Sequence, residues 1–362
     1  MDPVEEARAL VRGAIRQMKG YVPGLQPRPG QTLVKLNTNE NPFPPSQAVL
    51  DALHAAVSGR IRLYPDPEAT PLREAAARLY GLKPAQVLCG NGSDEILAIL
   101  LRTFVGEGET AAWFDPSYSL YPVLAALGGA RAVTVPFPRL RRSSEIDSLP
   151  VPSPAAKLFL LTSPNAPYGA ALPTRWVESL LAQFRGIVVA DEAYVDFAEE
   201  SALPLLAANP RLVIVRTLSK AYSLAGMRAG LAFGHEAIIH ELMKVKDSYN
   251  VSGLAQVAAC AALEDQVYFR RTRDQLVATR ERFSADLARR GFTVLPSGAN
   301  FVFTVPPAGQ TAGTLYEDLL RRGYLVRYWK TGIVSDGLRI SIGSDAEMDG
   351  LAAAIEEVQH AR

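Results

Sequence analysis

A chain of 362 residues, 48% of them hydrophobic, has room for one large domain plus a smaller one and for a substantial buried core. Lys and Arg (38) balance Asp and Glu (37) to a formal net charge of +1 with no basic or acidic block, which argues against nucleic acid and membrane surfaces as partners. Two cysteines, Cys89 and Cys260, and four unclustered histidines offer neither a disulfide framework nor metal-ligand spacing, so no metal and a reducing, cytoplasmic setting are expected.

The opening MDPVEEARALVRGAIRQMKG carries acids early, and no run of about 20 apolar residues occurs anywhere, so neither a secretory leader nor a transmembrane helix is expected. Residues 20–45 are rich in Pro, Gly and Asn and read as an irregular arm. Short β-rich runs then alternate with helical patterns. QVLCG (86–90) precedes DEILAILLRTF, TAAWF (110–114) precedes SLYPVLAALG, KLFLL spans 157–161, RWVESLLAQF precedes IVVADEAY, and LVIVR spans 212–216. Such alternation predicts βαβ units in an α/β domain, with a mostly parallel central sheet flanked by helices. RRSSEIDSLPVPSPAA (141–156) reads as an exposed connection.

Beyond about residue 245 the pattern changes. A long charged helix through DQVYFRRTRDQLVATRERFSADLARR is followed by strand-like FTVLP and ANFVFTV, a helix near TAGTLYEDLLRRG, strands YLVRYW and LRISIG, and a last helix. That helix opens on SDAE, a capping box, and puts Met348, Leu351, Ile355 and Val358 on one face. The expected division is an arm or helix over 1–30 associated with the small domain, a large domain over 31–245, and a small α+β domain over 246–362.

In parallel sheets ligands collect at the carboxyl ends of strands, so polar residues directly after apolar runs are candidates. In GNGSDEI (90–96), Ser93 and Asp94 open a helix whose free N–H groups suit a phosphate; an ordinary turn with a Ser or Asp N-cap is the alternative. In IVVADEAY, Asp191 ends a buried strand and needs a partner, either a protonated ring nitrogen or a structural ion pair. In TLSKAYSLAGMRAG (217–230), Lys220 follows a strand where partial desolvation makes an amine nucleophilic, with Ser219 and Arg228 placed to hold a phosphate; a surface lysine is the alternative. Taken jointly, a phosphate anchor, a strand-end carboxylate and a nucleophilic lysine match the needs of pyridoxal phosphate.

Strand-end DEAY, the loop SPNAPYG (163–169) and TLSKAYSLAGMRAG resemble the motifs of fold-type I pyridoxal-phosphate aminotransferases. YVPG (21–24), LNTNENP (36–42), LYPDP (63–67), ANFVF (299–303), LVRYW (325–329) and LRISIG (338–343) are similar to the histidinol-phosphate aminotransferase branch of that family. The resemblance implies that Lys220 is the Schiff-base lysine and moves the proton, that Asp191 pairs with the pyridine nitrogen, and that Asn165 and Tyr194 bond the phenolic oxygen. It implies that Tyr118 stacks on the ring. It further implies that Ser93 and Asp94 (through backbone), Ser219 and Arg228 hold the phosphate with Tyr64 from a second subunit, hence a homodimer. By the same resemblance, Arg339 would take the substrate's anionic group, with Arg327, Tyr21 and Asn39 as further substrate-side candidates. The implied substrates are histidinol phosphate and L-glutamate/2-oxoglutarate. The loop keeps Asn165 and Gly169 but departs from the family pattern at Ser163, Ala166 and Tyr168.

Three rivals share parts of this reading: an aromatic amino-acid aminotransferase, a phosphothreonine decarboxylase and a non-catalytic ligand sensor. The first two keep Lys220; the third needs a DNA-binding module, for which the arm before Gly30 is too short.

Overall fold

Apolar strands with β-branched residues at both parities need cover on both faces, and that requirement organises the large sheet. The computed structural model describes residues 2–28, 30–141 and 143–361. Its strands are β1 Val34–Leu36, β2 Val87–Asn91, β3 Thr110–Asp115, β4 Arg131–Pro136, β5 Leu158–Thr162, β6 Ile187–Asp191, β7 Leu212–Thr217, β8 Ala229–Phe233, β9 Thr293–Val294, β10 Phe301–Val305, β11 Tyr324–Tyr328 and β12 Leu338–Ser341. The 7-stranded sheet runs in the order β2-β8-β7-β6-β5-β3-β4. Only β8 is reversed, pairing antiparallel with β2 and β7.

Alternate residues of these strands feed two cores. Leu158, Leu160, Val189, Val213 and Val215 face the helix Ser93–Phe104, packing with its Ile96, Leu97 and Leu100. Phe159, Leu161, Val188, Ala190, Leu212 and Ile214 face the other way, toward Trp176 and Leu180 of the helix Thr174–Gln183. Each fully buried aliphatic side chain contributes about 1.5–3 kcal/mol. Because β2, β3, β5, β6 and β7 point the same way, Asn91, Asp115, Thr162, Asp191 and Thr217 end on one edge of the sheet.

The second sheet, in the order β1-β11-β12-β10-β9, carries the helices Ala312–Arg321 and Asp345–His360. The capping box is present: Ser344 accepts from Glu347 N–H and the Glu347 carboxylate accepts from Ser344 N–H, with Met348, Leu351, Ile355 and Val358 buried.

Several sequence expectations need correction. The arm over 20–45 is not wholly irregular, because β1 pairs in parallel with β11 and so joins the small sheet rather than the large one. The helix Gly253–Glu264, counted with the small domain, packs on the helices Gln47–Ala56 and Thr70–Tyr80 of the large one. The connection over 141–156 is only partly exposed: a 3-10 turn spans Ser143–Ser148, and Ile146, Leu149 and Ala156 are buried in the main core. Arg142 lies outside the described residues.

Candidate active site

A cavity of about 220 Å³ opens at that common edge and is closed on its far side by β11, β12 and the N-terminal arm. Its wall includes Tyr21, Asn39, Ser93, Asp94, Tyr118, Asp191, Tyr194, Ser219, Lys220, Arg228, Arg327 and Arg339. These residues come from eight separate stretches of chain, and the fold brings them together.

The anion-binding end is built from backbone. The helix Ser93–Phe104 starts after Gly92, whose φ of +79° suits glycine, and no side chain caps it. The Ser or Asp N-cap alternative is therefore not what the chain adopts: Ser93 is the first helical residue and the leading N–H groups are left for an anion. Arg228, itself left-handed at φ +53°, lies close over this helix start. A Cβ on Gly92 would stand 2.5 Å from Arg228 Nη2, so glycine is what lets the guanidinium approach. Arg228 donates to Ser219 Oγ at 3.2 Å and to Asp94 Oδ2 at 3.0 Å, and Tyr118 donates to Asp94 Oδ1 at 3.0 Å.

At the end of β6, Asp191 and Glu192 point to opposite faces, as the strand period demands. Asp191 faces the cavity, nearly fully buried at 2% exposure, accepting from Tyr121 Oη at 2.7 Å and Ala193 N–H at 3.2 Å. Burial pushes its carboxyl up to about 6, against the pull of those two hydrogen bonds. Glu192 faces away and is buried with Arg216, whose Nε and Nη2 donate at 3.0 and 2.9 Å. Sequence reasoning missed this ion pair, since the alternation of β6 and β7 signals only that something must cover each face.

Lys220 Nζ donates to the Thr38 carbonyl at 3.0 Å. Burial, chiefly, pulls its ammonium down to about 8, with Arg339 and Arg228 adding to the effect and Glu40 opposing it. A carbonyl oxygen is a neutral acceptor, so the lysine has no carboxylate locking it in the charged form. The chain thus holds a readily deprotonated amine facing a buried carboxylate across one cavity.

The substrate side lies on the small sheet. Arg327 of β11 and Arg339 of β12 are direct cross-strand partners. Like charges in register oppose pairing unless an anion lies between them. Arg339 Nη2 donates to Asn37 O at 2.9 Å, while its Nε is buried with no partner. Burial draws the Arg339 guanidinium below its usual value. Its flat face lies over Phe301 and Trp329, at 5.1 and 5.5 Å from the ring centres. Asn39 donates to Tyr194 Oη at 3.0 Å, and Tyr21 meets Tyr118 edge-on at 6.1 Å, so the arm closes over the opening.

Two candidates lie elsewhere in the chain. Asn165 is fully buried behind the wall, donating to Pro116 O at 3.1 Å, while Ala166 and Pro167 of its loop face the cavity. Tyr64 is 81% exposed, stacked on Tyr249 at 4.4 Å, beside a separate surface groove. Tyr168, one of the loop departures, is a core residue packed edge-on against Phe303. Cys89 is buried and its thiol is pushed up to about 12, which makes it a small apolar side chain rather than a nucleophile. Among the described residues no cluster of metal-ligating side chains occurs, and no helix is long and apolar enough to cross a membrane.

Known proteins are similar to this chain along nearly its whole length. Histidinol-phosphate aminotransferases of Syntrophotalea carbinolica and Synechocystis sp. are each 45% identical to it, over 96% of this chain and 99% and 98% of theirs. The crystal structure of histidinol-phosphate aminotransferase from Sinorhizobium meliloti in complex with pyridoxal-5'-phosphate has a TM-score of 0.85 at 28% identity, covering 98% of both chains. L-threonine-O-3-phosphate decarboxylase from Porphyromonas gingivalis shares the fold, with a TM-score of 0.79 at 23% identity over 91% of this chain and all of its own. Residues 31–355, which carry every strand from β1 to β12 and all but Tyr21 of the cavity residues named above, match the aminotransferase class I and II family, and the chain belongs to it.

Proposed function

We propose that this aminotransferase uses pyridoxal phosphate to exchange an amino group between L-histidinol phosphate/imidazole acetol phosphate and 2-oxoglutarate/L-glutamate, a step of histidine biosynthesis. The observation that carries the substrate assignment is the opposed pair Arg327 and Arg339, with Arg339 Nε unpartnered, in the cavity that holds Lys220. A phosphate monoester dianion can bridge two guanidiniums, and the smaller carboxylate of glutamate can use Arg339 by itself. The names of the relatives at 45% identity support the same reading.

The residues present fit the cofactor. The uncapped helix start, Ser219 and Arg228 suit its phosphate, Asp191 suits its protonated ring nitrogen, and Tyr118 has a ring on the cavity wall to lie against it. When bound, the cofactor supplies an electron sink for the charge left at the substrate α-carbon and carries the amino group between half-reactions. Lys220 would be the attachment point for the cofactor, and its free amine would move the proton at the substrate α-carbon. Tyr194, held by Asn39, offers its phenol to the cofactor's oxygen, and Asn165 braces the loop beside it. Asn39 and Tyr21 shape the substrate entrance.

The active unit in this proposal is a homodimer in the cytoplasm, in which Tyr64 of the partner subunit reaches the phosphate. Exposed Ile61, Leu63, Tyr64 and Tyr249 lie together around one groove and give such an interface an apolar surface. Each subunit divides into a large cofactor-binding domain and a smaller C-terminal one.

The test is product analysis. Protein loaded with pyridoxal phosphate and 2-oxoglutarate is mixed in turn with L-histidinol phosphate, L-phenylalanine and O-phospho-L-threonine. Glutamate should form with the highest kcat/KM from histidinol phosphate. Equal or faster turnover of phenylalanine makes it a general aromatic aminotransferase, and carbon dioxide from phosphothreonine makes it a decarboxylase.

A further inference from the structure

Asp191 is brought to the cavity by β6, but a side chain outside the motifs fixes its direction. Tyr121 opens the short helix Tyr121–Gly128, is fully buried, and is gripped edge-on by Trp113 and Tyr118. Its hydroxyl lies 2.7 Å from Asp191 Oδ2 and 2.6 Å from Thr162 Oγ1. Thr162 Oγ1 in turn lies 2.9 Å from Ser117 Oγ on the cavity wall.

Each hydroxyl carries one proton, which settles the direction of the chain. An ionised carboxylate only accepts, so the Tyr121 proton points at Asp191. Tyr121 must then accept from Thr162, and Thr162 from Ser117. Burial and the neighbouring Asp191 charge hold the Tyr121 phenol well above its usual range, so it remains a donor throughout the accessible pH range.

We propose that Tyr121 is a positioning residue for Asp191, the last donor of a one-way chain Ser117, Thr162, Tyr121 that fixes the carboxylate's orientation toward the cofactor ring. The proposal rests on the pyridoxal-phosphate reading above for its catalytic meaning, although the coupling itself belongs to the cofactor-free chain. The two carboxylate oxygens are divided between a side-chain donor, Tyr121, and a backbone donor, Ala193 N–H, so rotation of the carboxylate breaks both bonds. Such a chain also polarises each successive hydroxyl.

The experiment is a carbon-13 carboxylate NMR titration of the cofactor-free protein, run on wild type, Tyr121→Phe and Thr162→Val. Asp94 and Glu192, the other charges acting on Asp191, are unchanged in both variants. From a wild-type midpoint near 6, Asp191 should rise by roughly one to two pH units in Tyr121→Phe, the effect of losing one hydrogen bond to a charged group. Thr162→Val, which removes only the donor behind Tyr121, should raise it less. Pyridoxal-phosphate affinity, measured by fluorescence, should fall in the same order. An unmoved Asp191 midpoint in both variants, with only a lower melting temperature, would reduce Tyr121 to a space-filling ring and overturn the proposal. If wild type takes up no pyridoxal phosphate, the proposed function fails, while a shifted midpoint still upholds the coupling.

Discussion

Lys220 is the residue whose chemistry can be read most directly from its surroundings. An ordinary lysine near 10.5 is almost wholly protonated at neutral pH, whereas one near 8 holds about 300-fold more free amine at pH 7. In the cofactor-free protein, labelling of Lys220 by an amine reagent, followed by peptide mass spectrometry, should therefore rise through a midpoint near pH 8. A midpoint above 10 would show that the cavity does not desolvate it. The sign for stability follows: the folded value lies below the unfolded one, so the cost of burying the ammonium is fully present below pH 8 and shrinks as pH rises toward 10.5. Lys220 and Asp191 were legible in the sequence because each stands at or just after the end of an apolar run, and Arg228 through its place eight residues after Lys220, immediately ahead of β8. Tyr121 was not, because in SLYPVLAALG it reads as one more apolar helix position, and its hydroxyl gains meaning only when β5 and β6 set Thr162 and Asp191 in register.

At the scale of elements, the cofactor end depends on β8 meeting the helix start at Gly92. A Cβ on Gly230 would stand 2.5 Å from the Gly92 carbonyl carbon and 2.7 Å from Ser93 N, both backbone atoms with little freedom to move. Gly230→Ala should thus displace the anion-binding N–H groups and weaken pyridoxal-phosphate binding by about tenfold or more, a loss of at least ~1.4 kcal/mol. Gly226→Ala, where a Cβ meets nothing within 4 Å, is the control and should bind normally. Equal affinity in both variants, measured by fluorescence titration, would count against this account of the turn. The alternation of strands and helices was legible from period alone, as was the capping box at Ser344. β4 and β8 were not separated out: β8 continues directly from the lysine motif, and β4 is a half-exposed edge strand with little apolar run to mark it.

At the scale of the whole molecule, the cavity contains every expected contributor except Asn165, behind the wall, and Tyr64, on the outer surface. In the proposed homodimer a second copy covers the apolar groove and supplies Tyr64, so on that reading assembly and activity stand or fall together. Ile61→Asp, which places a charge on the wall of that groove, should shift sedimentation from dimer to monomer and lower transaminase activity by more than about tenfold, with stability of the protomer little changed. A fully active monomer would remove the partner from the site. The expectation of two subunits came only from resemblance, because nothing in the spacing of LYPDP says which copy of the chain Tyr64 serves.

The pairing of β1 with β11 has a consequence for synthesis on the ribosome. Val34 finds its partner Tyr324 only after roughly 290 further residues have emerged, which takes on the order of half a minute at cellular translation rates. The seven-stranded sheet, complete at Phe233, can form while the small sheet still waits for its later strands. Asn37, Thr38 and Asn39 therefore remain without Arg327 and Arg339 until late in translation. The nascent protein can present a folded cofactor cradle well before it has any means of selecting what that cofactor acts on.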